Sequence, residues 1–211
     1  MEKITILFQG DSITDGSRSR DFEDLYLGAG YPTLIAARLG AAEPGRYRFL
    51  NRGCSGNRTC DLYARWKTDC LNLRPDVLSI LIGVNDVWRD IDSAAGISAA
   101  SYETLYALML REFQEALPEG KLLLLEPFVL PGSATTPHWE TFSREVRLRA
   151  EAVRRLAERF GAVFVPLQQT FDEACRDADS SVWIWDGVHP TAAGYTLITR
   201  EWLRAFQRLS F

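Results

Sequence analysis

Two short blocks at opposite ends of the chain carry side chains suited to acyl-transfer chemistry. Gly10-Asp11-Ser12 holds a serine, and Asp186-Gly187-Val188-His189-Pro190 holds one of the chain's two histidines. A serine hydroxyl becomes a nucleophile when a base removes its proton, and His189 is the candidate base. Asp186 can orient the imidazole and stabilise its cation. The residue types therefore predict a catalytic triad of Ser12, His189 and Asp186.

Two further blocks offer hydrogen-bond donors for the oxyanion that such chemistry forms. Gly53 follows Asn51-Arg52, and Asn85 lies in Gly83-Val84-Asn85-Asp86. The backbone N–H groups of Ser12 and Gly53 and the side-chain amide of Asn85 are predicted to form an oxyanion hole. Each block alone is also typical of an ordinary turn, so the prediction depends on all four blocks occurring together.

The elements that must position these blocks alternate along the chain. Apolar runs typical of strands buried on both faces occur at Ile4–Phe8, Tyr47–Asn51, Val77–Ile82, Lys121–Leu125 and Ala162–Pro166. Helical patterns occur at Tyr31–Leu39 with a C-cap at Gly40, Thr59–Leu71, Ser98–Leu117, Trp139–Phe160 and Thr191–Leu209. The alternation predicts one α/β domain over residues 1–211, a three-layer αβα sandwich with a five-stranded parallel sheet.

Each of the four blocks follows a predicted strand or precedes the last helix. Because ligand sites in parallel sheets lie beyond the carboxyl ends of the strands, we expect the blocks to meet at one edge. The segment 128–137 also follows a strand and is rich in proline and small polar residues. It is predicted to be a loop or lid that borders the site.

Composition excludes several other classes of protein. The net charge is −4, from 24 basic and 28 acidic residues, so a nucleic-acid partner is not expected. No apolar stretch is long enough to span a bilayer, and the first strand begins too early for a signal peptide. The cysteine spacing matches no metal or redox motif. We expect four free thiols, a cytoplasmic protein, and neither a metal nor an organic cofactor. Homo-oligomerisation is left open.

The four blocks resemble those of the SGNH, or GDSL, hydrolase superfamily, and the resemblance extends over essentially the whole chain. It implies a flavodoxin-like sheet, Ser12 as nucleophile, His189 as base and Asp186 as the third triad member. It also implies that Ser12, Gly53 and Asn85 form the oxyanion hole. The G-x-S-x-G motif of α/β-hydrolases is absent from the sequence.

A narrower resemblance, to bacterial intracellular acetylxylan esterases, is carried by several stretches. These are Gly10–Gly16 with Arg18 and Arg20, Leu27–Tyr31, Ala64–Trp66, Ile82–Arg89 and Trp185-Asp186. It implies removal of acetyl groups from carbohydrates such as acetylated xylo-oligosaccharides, a small-molecule ester substrate. Asp11, Trp88 and Trp185 are the predicted substrate-binding residues. For the tryptophans the reason is that an indole offers a flat apolar face to a sugar ring, and sealing the core below the loops is the alternative.

Other functions and roles are kept as alternatives. A thioesterase or lysophospholipase would use the same triad on longer acyl chains, and a non-catalytic flavodoxin-like protein would bind phosphate or flavin at Ser12-Ile13-Thr14. Trp183 is interpreted as a core residue and His138 as structural. Arg18 and Arg20 have two alternative roles, substrate contact and salt bridging, and both are left open.

Overall fold

The computed structural model describes residues 3–21 and 25–210, and its centre is a parallel five-stranded sheet. The strands are β1 (Ile4–Gly10), β2 (Tyr47–Asn51), β3 (Val77–Leu81), β4 (Lys121–Leu125) and β5 (Val163–Val165). Their order in the sheet is β2-β1-β3-β4-β5, and every neighbouring pair is parallel. The predicted α/β architecture with five parallel strands is confirmed.

Helices cover the sheet on both faces. They are α1 (Ser12–Asp15), α2 (Tyr31–Ala42), α3 (Thr59–Ala64), α4 (Trp66–Asp69), α5 (Val84–Ser93), α6 (Ala99–Ala116), α7 (Trp139–Phe160), α8 (Gln168–Ala174), α9 (Ser180–Trp183) and α10 (Ala192–Phe206). Two 3₁₀ turns lie at Leu71–Leu73 and Thr136–His138. Within the described ranges, no helix combines the length and the apolar character that crossing a membrane requires.

The strands bury alternate residues on opposite faces, which explains their nearly all-apolar sequences. In β1, Phe8 packs in one hydrophobic cluster with Trp202 of α10, whereas Leu7 packs in the other with Tyr102 of α6. Strands β3 and β4 divide their side chains between the same two clusters. The sheet therefore forms the middle of three layers and is rigid enough to hold loops at its edge in a fixed arrangement.

Several predicted element boundaries are wrong. Gly40 does not end α2, which continues to Ala42 and is capped at Glu43. The single helix predicted at 59–71 is interrupted at Arg65 into α3 and α4. Helix α5 was not predicted, because it carries few apolar residues and its buried side chains lie in its first turn.

The predicted loop at 128–137 does border the Asp186 block, but it is packed rather than loose. Phe128, Val129 and Leu130 are buried, and Phe128 stacks on Phe171 of α8. Backbone hydrogen bonds also join this segment to the loop after α9. An apolar loop fixed in this way supports the Asp186 block and does not act as a lid that opens and closes over it.

Candidate active site

The exit of β1 turns directly into the short helix α1, which begins at Ser12. The Asp11 carboxylate caps this helix by accepting a hydrogen bond from the Ile13 backbone N–H at 3.0 Å. Ser12 remains half-buried and therefore accessible. Within residues 3–21 and 25–210, no acceptor lies in hydrogen-bond range of the Ser12 backbone N–H. This N–H and the Ser12 hydroxyl are thus both available at the edge of the sheet.

A chain of hydrogen bonds joins Ser12 to the Asp186 block. The Ser12 hydroxyl lies 2.9 Å from His189 Nε2, and His189 Nδ1 lies 2.7 Å from Asp186 Oδ2. With Nδ1–H donating to the carboxylate, Nε2 has a free lone pair that can accept the serine proton. The three residues predicted as a triad from the sequence are brought together in a geometry that suits nucleophilic catalysis.

The charges around His189 favour its role as a base. Hydrogen bonding to Asp186 raises the pKa of His189 above its usual value, against the opposing effect of burial. Burial would raise the pKa of Asp186, but hydrogen bonds from the His189 ring and from the backbone N–H groups of Val188 and His189 outweigh it and lower that pKa. Asp186 thus stays ionised and stabilises a positive imidazolium.

The Asp186–His189 turn is supported from below by the loop after β4. Gly187 has a φ of 98°, and a Cβ there would meet the Thr135 hydroxyl oxygen at 2.4 Å. The buried Thr135 hydroxyl donates to the Leu130 carbonyl at 2.6 Å, and the Leu130 N–H donates to the Gly187 carbonyl at 2.9 Å. The turn therefore needs glycine at 187, where both the backbone angle and the space exclude a side chain.

Two tryptophans lie against the imidazole of His189. Trp185 stacks on it with ring centroids 5.6 Å apart and planes 17° apart, and Trp88 lies 6.0 Å away at 50°. Trp185 is exposed, so its outer face can contact a substrate. Trp183 instead packs on the core and donates its indole N–H to the Ala174 carbonyl, as the core interpretation predicted.

Gly53 lies where only glycine can lie, and its N–H already has a partner. A Cβ at this position would meet the Asp15 backbone nitrogen at 2.4 Å. The Gly53 N–H donates to the Asn51 side chain at 2.9 Å, and the Asn51 amide donates to the carbonyls of Thr14 and Leu27. The Gly53 N–H can therefore reach a substrate oxygen only by sharing its hydrogen with Asn51.

Asn85 has one amide hydrogen engaged and another to offer. It lies in the first turn of α5, is 6% exposed, and donates to the Asn57 carbonyl at 3.2 Å. An asparagine side chain has two N–H donors, so the second remains for an oxyanion. The neighbouring Asp86 accepts from the Thr59 N–H, and burial raises the pKa of Asp86 to about 6.

Asp11 does not lie where a substrate can contact it directly. It is 1% exposed, and its carboxylate is directed at the backbone of α1. Burial raises the pKa of Asp11 to about 7, partly offset by the Ile13 hydrogen bond and the nearby His189. The prediction of a substrate-binding Asp11 is therefore replaced by a role beneath Ser12, where it caps α1 and influences His189.

Comparisons with known proteins identify the family of the chain. The GDSL-like lipase/acylhydrolase family matches residues 8–197. The chain belongs to this family. It is 36% identical over 205 residues to an acetylxylan esterase from Geobacillus stearothermophilus, covering 94% of this chain and 92% of that protein.

Solved structures support the same assignment. A candidate GDSL-like lipase from Parabacteroides merdae superposes with a TM-score of 0.92 at 36% identity, covering 98% of this chain and 97% of the other. Axe2, an acetylxylan esterase from G. stearothermophilus, gives 0.85 at 33% identity, covering 97% and 96%. The protein is thus a GDSL-type serine esterase, and the non-catalytic alternative is set aside.

The other polar residues singled out in the sequence brace the loops of this esterase. Arg20 forms a two-pronged contact with the Asp15 carboxylate at 2.9 and 2.8 Å, which is the salt-bridged alternative. Arg18 donates to the Gly53 carbonyl at 2.9 Å. His138 is exposed at the start of α7. All four cysteines are free, as predicted.

Sequence reasoning missed three residues that hold the esterase site together: Asn51, Arg65 and Thr135. Asn51 left a weak signal, because a polar residue at the end of a buried strand must find partners for its amide. Thr135 left none, since its partners are backbone groups that only the folded chain brings within reach. Arg65 lies in the Ala64–Trp66 stretch, but nothing in that stretch indicates its partners on other segments of the chain.

Proposed function

We propose that this esterase removes acetyl groups from carbohydrates such as acetylated xylo-oligosaccharides, with Ser12, His189 and Asp186 as its triad. The observation that carries the proposal is the continuous hydrogen-bonded chain from the Ser12 hydroxyl through both ring nitrogens of His189 to Asp186. Its acetyl-carbohydrate part is supported by the identity to an acetylxylan esterase and by the exposed indole of Trp185 beside the base.

Ser12 Oγ attacks the ester carbonyl carbon while its proton passes to His189 Nε2. The carbonyl oxygen becomes an oxyanion that accepts hydrogen bonds from the Ser12 N–H and the Asn85 amide, with the Gly53 N–H sharing its hydrogen with Asn51. The intermediate collapses when the bond to the sugar oxygen breaks, and His189 returns its proton to that oxygen. An acetyl group then remains on Ser12.

Deacylation repeats these steps with water in place of the alcohol. His189 removes a proton from water, the resulting hydroxide attacks the acetyl carbonyl, and the bond to Ser12 Oγ breaks as His189 returns the proton to it. Acetate leaves and the serine is restored. Asp186 stays ionised throughout and stabilises the imidazolium that forms twice in each cycle.

The test is acetate release from acetylated xylo-oligosaccharides by the wild type and by Ser12→Ala. Ser93→Ala is the matched control, because that exposed hydroxyl bonds the Arg89 carbonyl of its own helix. Release by the wild type and the control but not by Ser12→Ala is expected, with about a 10³-fold or greater loss. Activity that survives Ser12→Ala contradicts the triad.

A series of p-nitrophenyl esters of increasing chain length separates the substrate from the triad. The proposal expects the acetyl ester to be cleaved fastest. Faster cleavage of long esters, with no release from the sugar, would keep the triad and assign the esterase to thioester or lysophospholipid chemistry instead.

A further inference from the structure

Arg65 lies between α3 and α4, at the point where the predicted helix is interrupted, and its side chain is directed at the carboxyl edge of the sheet. The side chain is 16% exposed. Asp69 accepts from its Nη1 at 3.1 Å and Gln9 accepts from the same nitrogen at 2.9 Å, so both side chains hold this end of the guanidinium. The Gln9 amide also donates to the Asp69 carbonyl at 2.6 Å, which closes this set of contacts.

The same guanidinium contacts three loops that bear on the proposed chemistry. Nη2 donates to the Gly10 carbonyl at 3.2 Å, two residues before Ser12. Nη1 donates to the Arg52 carbonyl at 2.7 Å, immediately before Gly53. Both carbonyls belong to the backbone that positions a predicted oxyanion donor.

The third contact leads to Asn85. Arg65 Nε donates to the Asn57 side-chain oxygen at 2.8 Å, and the Asn57 backbone carbonyl accepts the Asn85 amide hydrogen at 3.2 Å. Arg65 thus fixes the Asn57 side chain, and the Asn57 backbone carbonyl in turn fixes the Asn85 amide. The Arg65 side chain thus joins the exits of β1 and β2 to the first turn of α5.

We infer that Arg65 is a positioning residue that sets the spacing of the oxyanion donors relative to Ser12. The inference rests on the proposed function. A guanidinium is planar and presents its donors in a rigid fork, so three acceptors bonded to it are held at fixed separations. A lysine ammonium is a single point on a flexible stem and cannot hold all three at once.

The oxyanion donors need such support because they lie on three separate segments of the chain: the start of α1, the loop after β2 and the first turn of α5. Catalytic rates are sensitive to donor placement, and an error of about 1 Å can cost about 100-fold. Substrate binding depends on other surfaces, such as the exposed Trp185. A displaced donor therefore lowers kcat and leaves KM nearly unchanged.

The experiment is a double-variant cycle of Arg65→Lys and Asn85→Ala, with kcat and KM measured on p-nitrophenyl acetate. We expect Arg65→Lys to lower kcat about 10- to 100-fold, with KM within about twofold of wild type. The double variant should lose less than the product of the two single losses, because the part of the Arg65 effect that passes through Asn85 is already lost in Asn85→Ala. A merely structural role would multiply the two losses.

Arg111→Lys is the matched control. Arg111 also faces an acid one helical turn away, Glu115 at 3.9 Å, but it lies exposed on α6. Arg111→Lys should therefore retain the wild-type kcat. If Arg65→Lys fails to fold by circular dichroism, Asn57→Ala takes its place in the cycle, because it removes the Nε contact and keeps the other two.

Unchanged kcat, a change in KM alone, or independent losses in the cycle would each overturn the role of Arg65. Ser12→Ala is assayed beside these variants to separate the two proposals. An active Ser12→Ala contradicts the proposed function, whereas an inactive Ser12→Ala with normal Arg65→Lys turnover overturns the positioning role alone.

Discussion

The indole of Trp185 stacks almost parallel on the imidazole of His189, at a centroid distance of 5.6 Å, and still leaves 62% of its surface exposed. One face of this indole thus shields the base from water while the rest of its surface is open to a ligand. An exposed indole offers a flat apolar face with one N–H donor, which suits contact with a ligand. Here the surface lies directly beside the proposed base, His189.

Trp185→Ala is expected to lower kcat/KM for acetylated xylo-oligosaccharides about fivefold more than for p-nitrophenyl acetate. The reason is that a lost stacking contact costs about 1 kcal/mol, and only the sugar extends far enough to use it. Trp185→Phe should recover most of the loss. Val182→Ala, at another exposed apolar residue, is the control. Equal losses on both substrates would contradict sugar stacking.

The sheet was predictable because its strands are buried on both faces and carry nearly continuous apolar runs. Helix α7 was equally clear, since it ends at Gly161 in the left-handed conformation that favours glycine. Helix α5 was missed because its sequence is mostly polar and it buries its first turn at the site. Gly40 was wrongly assigned as a cap, because a glycine also fits within a helix.

The grouping of Ser12, His189 and Asp186 could be predicted because parallel strands bring their carboxyl ends to one edge, and their catalytic roles stay predictions. The residues that support this group could not be predicted from the sequence. Asn51 donates to the Thr14 carbonyl and Arg65 to the Gly10 carbonyl, both far away in the chain, and no residue type marks a carbonyl as an acceptor. The burial of Asp11 was equally hidden, because a Gly-Asp-Ser turn on its own is typical of an exposed loop.

The pH dependence of kcat/KM should have an acid limb set by His189. Its pKa is raised by Asp186, so the limb is expected above the ordinary histidine value of about 6.5. Below that midpoint His189 is protonated and cannot accept the serine proton. The Asp11 carboxylate also raises the pKa of His189. Asp11→Asn should therefore move the acid limb to lower pH while keeping the cap on α1.

Asp11→Asn should also change how stability depends on pH. The folded protein holds a proton on Asp11 up to about pH 7, whereas an unfolded aspartate loses it near pH 4. The free energy of unfolding contributed by this group therefore falls as pH rises between those values. Thermal unfolding at pH 5 and pH 8 measures it, with the surface variant Asp179→Asn as control. An unshifted acid limb would contradict the coupling of Asp11 to His189. An unchanged slope of stability against pH would contradict the raised pKa of Asp11.

Gly53→Ala is expected to destabilise the fold and lower kcat together. The added methyl group would meet the backbone of α1 at Asp15, only 2.4 Å away, and backbone cannot rotate aside as a side chain can. Overpacking of this kind costs about 1–3 kcal/mol. Because Ser12 begins the same short helix, any movement of α1 also displaces the nucleophile from His189.

Gly40→Ala is the matched comparison. Gly40 lies inside α2 with no atom within 4 Å of the added Cβ, so alanine should raise the free energy of unfolding by about 1 kcal/mol through helix propensity. Urea unfolding and kcat are measured on both variants. A stable and fully active Gly53→Ala would mean that the loop after β2 can move away from α1 without disturbing Ser12, and the close approach would then have no bearing on catalysis.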